Sequence, residues 1–176
     1  MQEAPDLGIP EVKPAIESIR GTWEQKVSPR RRHALVQGRL WQILTSTFGE
    51  AGEVGTEWRF YILPPKEKPS SLVPDVAYVS YERMPPDLGE LREKPTIAPD
   101  IAVEVFSPDD RQKLLEEKIG IYLDNGSRLV IVADPLKRII LMHDSNGTVQ
   151  FSNDDIAVAD VYPQLRIYVS KLYERI

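Results

Sequence analysis

The chain contains no cysteine, and this absence excludes more functions than any other feature of the composition. Without a thiol there is no disulfide, thiolate zinc site, iron–sulfur cluster or cysteine nucleophile. No stretch approaches the roughly 18 uncharged apolar residues that a membrane-spanning helix needs. The first residues are rich in acids and prolines, where a signal peptide has a basic end and an apolar centre. We therefore expect a soluble, cytoplasmic protein without membrane association.

Positive charge is also in deficit. Among 176 residues, 22 are basic and 27 acidic, so the formal net charge is −5. A protein that binds nucleic acid through bulk charge is usually basic, and that function is disfavoured. A local basic groove is compatible with this net charge, because salt screens electrostatic fields beyond about 10 Å. The sequence has no glycine-rich phosphate loop and no Ser/His/Asp set in a plausible order, so it does not support a kinase or a serine hydrolase.

The length and composition predict one domain with a short leading arm. Apolar residues make up 41% and charged residues 28% of the chain, as in ordinary globular proteins. Three prolines, Pro5, Pro10 and Pro14, favour an extended arm over residues 1–17. The domain then covers residues 18–176 and begins with a short hairpin around Gly21.

Two helices are predicted. The first begins at Ser28–Pro29, because serine caps free N–H groups and proline fits the first helical position. Its apolar stripe is spaced by three or four residues, and Gly49 ends it. The stripe contains Val36, Leu40, Ile43, Leu44 and Phe48. The second helix begins within 107–110 and runs to Asp124.

Between and after these helices, short segments have the β-branched and aromatic content of strands. They are residues 58–63, 76–81, 101–106, 129–133 and 138–142. A short helix is expected within residues 167–176. This order predicts an α/β (α+β) domain with a central mixed β-sheet flanked by α-helices.

Glu104 is the most informative residue of the predicted strands. It interrupts the apolar run Ile101 to Phe106, and a carboxylate is rarely buried without a partner. Ile101, Val103 and Val105 share one face of the strand, so Glu104 lies on the other. At about 100° per residue, Lys118 falls on the apolar arc of the second helix. Lys118 is therefore a candidate partner for Glu104.

Asp75 begins a strand that can lie beside the Glu104 strand. Two carboxylates on adjacent strands suit Mg²⁺ or Mn²⁺, which prefer oxygen ligands. With a nearby lysine, this set has the chemistry for phosphodiester hydrolysis. The alternative is a structural ion pair between Glu104 and Lys118, with Asp75 as a turn residue. Spacing alone leaves both open.

Three segments in order resemble the Uma-type endonucleases, a family numerous in cyanobacteria, within the PD-(D/E)XK (restriction-endonuclease-like) superfamily. They read PDVAYVSYERMP, APDIAVEVFSPDDR and EEKIGIYLDNGSRLVIVADP, and the resemblance extends over residues 14–170. It implies a restriction-endonuclease-like fold with a metal bound where the strands diverge.

The resemblance also implies roles for individual residues. Asp75 and Glu104 match the two metal-binding acids. The superfamily's lysine lies two residues after the second acid, where this chain has Phe106, so Lys118 is expected to replace it from the following helix. His33 resembles a recurrent histidine of the first helix; the alternative is a surface or capping residue.

Other polar residues have weaker assignments. Arg30, Arg31 and Arg32 form a basic run that suits contact with a nucleic-acid backbone, or else a solvated first helical turn. Asp100 is a rival metal ligand, because it shares a face with Glu104. Two further acids, Glu53 and Glu57, have nothing to separate them from surface residues.

The sequence thus predicts a Mg²⁺- or Mn²⁺-dependent DNA endonuclease. Catalysis would use Asp75, Glu104, Lys118 and His33. A homodimer is expected, because cleaving a duplex needs two sites and two-fold dimers are the commonest assembly. The alternative is a catalytically inactive protein of the same fold that binds nucleic acid or protein, favoured by Phe106 and the acidic net charge.

Overall fold

The computed structural model describes residues 1–3, 5–107 and 111–176. The first half contains β1 (Ile16–Ile19), β2 (Thr22–Gln25), α1 (Arg31–Phe48), β3 (Gly52–Thr56), β4 (Phe60–Ile62), β5 (Ser70–Leu72) and β6 (Val76–Ser80). The second half contains β7 (Ile101–Val105), α2 (Gln112–Asp124), β8 (Leu129–Asp134), β9 (Ile139–Asp144), β10 (Gly147–Ser152), β11 (Ile156–Ala159), β12 (Tyr162–Tyr168) and α3 (Val169–Leu172). A 3-10 helical segment covers Pro86–Arg92.

The strands form a large mixed sheet and two smaller antiparallel sheets. The large sheet has the order β10-β9-β8-β7-β6-β3, and within it only β7 and β8 are parallel. α2 connects these two strands, as a parallel pair requires. The smaller sheets have the orders β2-β1-β5-β4 and β11-β12. The predicted central mixed sheet flanked by helices is confirmed.

Both faces of the large sheet are covered. On one face lie α1, α3 and the β11–β12 hairpin, through a core that includes Val36, Leu40, Leu44, Phe48, Ile101, Val103, Val105, Leu165 and Leu172. On the other face lie α2 and the four-stranded sheet, through Ile19, Ile62, Leu72, Ala102, Ile121, Tyr122 and Val130. The predicted apolar stripe of α1 and the alternation along β7 are both observed. Glu104 accordingly faces α2.

The helix starts differ from the predictions. α1 begins at Arg31 rather than at Ser28–Pro29, and Arg30 is in extended conformation with φ −84° and ψ 166°. The backbone N–H of Lys26 donates to the Ala15 carbonyl at 2.9 Å, so the chain is still part of the hairpin at Lys26, and residues 27–30 connect it to the helix without helical structure. For α2, the predicted capping residues 108–110 lie outside the described residues. Ser107 is not helical.

The five predicted strands correspond to β4, β6, β7, β8 and β9, with ends differing by up to two residues. The hairpin around Gly21 corresponds to β1 and β2. β1 begins at Ile16, so the last two residues of the predicted arm lie in a strand. β3, β5, β10, β11 and β12 were not predicted. None of the helices in the described ranges combines the length and apolar composition that crossing a bilayer requires.

Candidate active site

The pairing of β6 with β7 brings Asp75 and Glu104 to the same place. The strands are antiparallel, with Val76 opposite Val103. Continuing this register by one residue sets Asp75 beside Glu104. The backbone N–H of Asp75 donates to the Val103 carbonyl at 2.9 Å, which fixes the position of the acid at the strand's start.

Asp75 is buried, with 2% of its surface exposed, and both carboxylate oxygens accept hydrogen bonds. The N–H of Val105 donates to Oδ2 at 2.6 Å, and Nε2 of His33 lies 3.1 Å from the same oxygen. Nζ of Lys26 donates to Oδ1 at 2.7 Å. Lys26 follows β2, and His33 lies in the first turn of α1. Three elements therefore converge on this carboxylate.

Glu104 lies at the centre of a second buried group. Nζ of Lys118 lies 2.7 Å from its Oε1, and the Tyr122 hydroxyl donates to the same oxygen at 3.1 Å. Lys118 also contacts both carboxylate oxygens of Glu17 at 3.0 Å. Glu17 belongs to β1, and its Oε1 accepts the N–H of Val73 at 2.7 Å. The predicted contact between Glu104 and Lys118 is present, and Glu17 is a second carboxylate partner of Lys118.

The electrostatics differ between the two acids. Burial opposes ionisation of Asp75, but the Lys26 ammonium and His33 outweigh it and hold the pKa of that carboxyl well below its usual range. Burial raises the pKa of Glu104 to about 7; Lys118 opposes this rise, whereas the charges of Asp75 and Glu17 add to it. Burial lowers the pKa of Lys118, but Glu104 and Glu17 prevail and raise it.

A cavity of about 230 Å³ opens onto these residues. Its lining includes Glu17, Lys26, His33, Asp75, Glu104 and Lys118. A neighbouring cavity of about 540 Å³ shares Lys26, His33 and Asp75 with it. The polar groups are therefore accessible to a ligand, although the side chains themselves are largely buried.

The donor chemistry fits a hard divalent cation. Asp75, Glu104 and Glu17 supply carboxylate oxygens, and the ammonium groups of Lys26 and Lys118 neutralise them in this structure. Burial, and after it the negative charge of Asp75 and Glu17, raises the pKa of Glu104, and a cation would stabilise the ionised carboxylate. Among the residues that the structure describes, no three His, Asp or Glu side chains form a ready-made metal cage. A cation at Asp75 and Glu104 would complete its coordination with water, as Mg²⁺ commonly does.

The basic run lies next to this site. Arg30, Arg31 and Arg32 line a further cavity together with His33, Phe106, Ser107, Pro135 and Leu136. All three arginines are exposed, which suits contact with a charged backbone. Phe106 contributes a ring here instead of the cation expected from the superfamily pattern.

Of the other candidate acids, Asp100 and Glu53 have partners outside the site, and Glu57 lies at its edge. Asp100 accepts hydrogen bonds from the N–H and hydroxyl of Ser80 and lies 3.3 Å from Arg83, at the opposite end of the β6–β7 pair. Glu53 pairs with Arg92. Glu57 lies at the edge of the site, where its carboxylate is 3.3 Å from Nζ of Lys26.

Sequence analysis missed Glu17, Lys26 and Tyr122. Glu17 gives a weaker signal than Glu104, because it follows the apolar Ile16 but precedes the polar Ser18 in its strand. Tyr122 was not considered as a site residue. No local pattern marks Lys26, because its role depends on the hairpin folding against β6.

The fold is of the restriction-endonuclease-like class. The chain is similar to a solved structure described as "a putative nuclease belonging to DUF820 from Anabaena variabilis ATCC 29413". The TM-score is 0.84 at 25% sequence identity, over 95% of this chain and 94% of that one.

The family follows from the sequence match. The family model described as "Uma2: Putative restriction endonuclease" matches residues 5–170, and the chain therefore belongs to the Uma2 family. No curated protein matches the chain. The resemblance stated from the three sequence segments is confirmed, and so is the expected fold.

Proposed function

We propose that this protein is a Mg²⁺- or Mn²⁺-dependent endonuclease that hydrolyses phosphodiester bonds in DNA in the cytoplasm. The observation that supports this most directly is the juxtaposition of Asp75 and Glu104 on neighbouring strands, with Lys118 2.7 Å from Glu104. The family description names a restriction endonuclease, which favours DNA as the substrate.

Asp75 and Glu104 would hold the metal ion. When bound, a divalent cation supplies positive charge against the phosphate oxygens and lowers the pKa of a water molecule. Asp75 is kept ionised by Lys26 and His33, and the Val105 N–H fixes its orientation. Lys118 of α2, which is itself paired with Glu17 of β1, holds Glu104 in place.

The reaction joins a water oxygen to phosphorus and breaks one phosphorus–ester oxygen bond. One proton of the water ends on the departing sugar oxygen, and the other is released to solvent from the new phosphate monoester. A positively charged group near the phosphate stabilises the charge that develops on its oxygens. Of the predicted catalytic set, His33 contacts Asp75 and Lys118 contacts Glu104, so both would act through the metal-binding acids.

DNA binding would extend from the site along the first turn of α1. Arg30, Arg31 and Arg32 are exposed beside the cavity that contains His33, so a strand entering the site passes them. A duplex has two strands, and a two-fold homodimer would present one site to each. We therefore propose a homodimer as the active form.

A calorimetric titration of Mn²⁺ tests the site directly. Wild type is expected to bind Mn²⁺, and Glu104→Ala to lose that binding while staying folded. Glu116→Ala is the matched control, because Glu116 is an exposed acid of α2 that contacts Gln112. The same three proteins are then incubated with supercoiled plasmid and Mg²⁺. Cleavage by the Glu104→Ala protein, or no Mn²⁺ binding by wild type, contradicts the proposal.

A second candidate function is binding of a nucleic acid or protein without cleavage. Phe106 favours it, because this residue stands where the superfamily pattern has a lysine. Under this alternative, Lys118 is a structural partner of Glu104 and Glu17. Wild type would then bind a DNA duplex in a gel-shift assay but cleave neither plasmid nor oligonucleotide in Mg²⁺ or Mn²⁺.

A further inference from the structure

Two lysines from different elements contact the paired acids. Lys118 comes from α2 and contacts Glu104 and Glu17. Lys26 comes from the residue after β2 and contacts Asp75. The two ammonium groups therefore bind different carboxylates, and their surroundings indicate different roles in the site.

All hydrogen-bond donors of Lys118 are occupied by buried carboxylates. Its contacts to Glu104 at 2.7 Å and to both oxygens of Glu17 at 3.0 Å employ the three N–H donors of an ammonium group. Its side chain is 8% exposed. An incoming phosphate could reach it only by breaking a buried ion pair, which is strongly unfavourable. Lys118 is thus a positioning residue for Glu104.

Lys26 lines both cavities, whereas Lys118 lines only the smaller one, and the Lys26 side chain is 13% exposed. Two of its contacts are short, 2.7 Å to Asp75 and 2.8 Å to the Val73 carbonyl. Its third contact is different: Glu57 is 3.3 Å away, and the Glu57 side chain is 47% exposed. Exposed ion pairs contribute little, so this third partner is readily exchanged.

We propose that Lys26 is the catalytic lysine of this site, a deduction that rests on the proposed nuclease function. A non-bridging oxygen of the scissile phosphate replaces Glu57 as the third acceptor of the Lys26 ammonium group. Asp75 and the Val73 carbonyl hold the lysine in place during this exchange. The ammonium then stabilises the negative charge that develops on the phosphate as the water oxygen bonds to phosphorus and the ester bond breaks.

The test compares Lys26→Met with wild type and with Lys94→Met. Lys94 is a matched control, because it is a 56% exposed lysine paired with Glu11 and lines neither cavity of the site. Lys26→Met is expected to lower kcat for plasmid cleavage by about 10²- to 10³-fold, the usual effect of removing one charge-stabilising donor. Its Mn²⁺ affinity, measured by calorimetry, is expected to stay equal or to increase, because a positive charge next to Asp75 has been removed.

A second variant keeps the proposal testable if Lys26→Met does not fold. Glu57→Gln removes the charge of the acceptor that the phosphate is proposed to replace. It is expected to tighten binding of a short DNA duplex about 3-fold in Ca²⁺, used here as a non-cleaving cation. Unchanged or weaker binding by this variant contradicts the exchange at Lys26.

The outcomes separate the two proposals. If wild type cleaves and Lys26→Met cleaves equally well, Lys26 is not catalytic and the nuclease function stands. If Lys26→Met loses Mn²⁺ affinity in parallel with cleavage, the lysine only organises the metal site and the deduction fails. If wild type neither binds Mn²⁺ nor cleaves DNA, the proposed function is wrong, and so is the catalytic role of Lys26 that rests on it.

Discussion

The dipeptide Pro-Asp occurs at the start of two neighbouring strands, and the two aspartates have different surroundings. Pro74–Asp75 precedes β6, and Pro99–Asp100 precedes β7. Both carboxylates are 2% exposed, and both accept a backbone N–H. Asp75 is in addition surrounded by Lys26 and His33 beside a cavity, whereas Asp100 binds Ser80 and Arg83 in the turn after β6.

The antiparallel pairing of the two strands explains this difference. Strands that run in opposite directions begin at opposite ends of the pair, so the same dipeptide is placed at two distant points. At one end, the hairpin β1–β2, α1 and α2 bring further charged groups to Asp75 and Glu104. At the other end, Asp100 accepts hydrogen bonds from Ser80, the first residue of the turn formed by Ser80 to Met84. The same Pro-Asp dipeptide therefore contributes to the candidate site in one place and stabilises a turn in the other, because the residues packed around the two aspartates differ.

Replacing Asp75 should produce the largest effect. Asp75→Asn keeps the volume but removes the charge that two cationic partners surround, so Mn²⁺ affinity is expected to fall by roughly 10²-fold or more, since even changes beside a ligand cost 10–100-fold. Plasmid cleavage should fall below detection. Calorimetry and a plasmid assay measure both effects. An unaltered Mn²⁺ titration would show that Asp75 resembles Asp100 in function as well as in sequence.

Asp100→Asn should produce a smaller effect of another kind. The change removes the charge facing Arg83 and weakens the hydrogen bonds from Ser80, so the free energy of unfolding should fall by about 1–3 kcal/mol. The corresponding decrease in Tm is about 2–4 °C per kcal/mol for a chain of this size. Mn²⁺ affinity should equal that of wild type. A loss of metal binding without a change in Tm would place Asp100 in the site.

The pH dependence of stability gives the smallest and most specific contrast. In the folded protein the pKa of Glu104 is raised to about 7 from an ordinary 4.5, so between these values the folded state holds a proton that the unfolded chain has lost. The stability from this group is complete below pH 4.5 and is lost as the pH rises through about 7. Asp75 has a lowered pKa and contributes stability in the opposite direction, lost only in strong acid.

Glu104→Gln isolates this effect, because glutamine has no proton to lose. The decline in Tm between pH 5.5 and pH 8 is expected to be smaller than in wild type by about 5 °C. Thermal unfolding in EDTA, at several pH values, measures it without interference from metal ions. Parallel curves for the two proteins would mean that Glu104 is ionised throughout this range.

Much of this arrangement follows from patterns with a simple period. The two-residue alternation of Ile101, Val103 and Val105 predicts the face on which Glu104 lies, and the structure confirms it. The helical spacing of α2 likewise directs Lys118 toward the sheet. Such predictions succeed because each depends on the geometry of a single element.

Predictions that depended on contacts between elements were less complete. Glu17 was assigned to an arm, although β1 pairs with β5 and brings its carboxylate to Lys118. Lys26 was not considered, because its distance to Asp75 is set by a hairpin 49 residues away in the chain. The start of α1 was placed too early: Ser28–Pro29 has the composition of a helix start, but the chain leaves the hairpin only at Lys26 and the helix begins at Arg31.

By itself, therefore, the sequence determined the two long helices, five of the strands, the buried faces of α1 and β7, and the family. Only the tertiary structure decided which of the chemically equivalent residues meet: Asp75 rather than Asp100 beside Glu104, and Lys26 as well as Lys118 around them. The physical reason is that a residue's secondary structure and buried face depend on neighbours a few positions away. Its charged partners depend on strand register and on packing between distant segments.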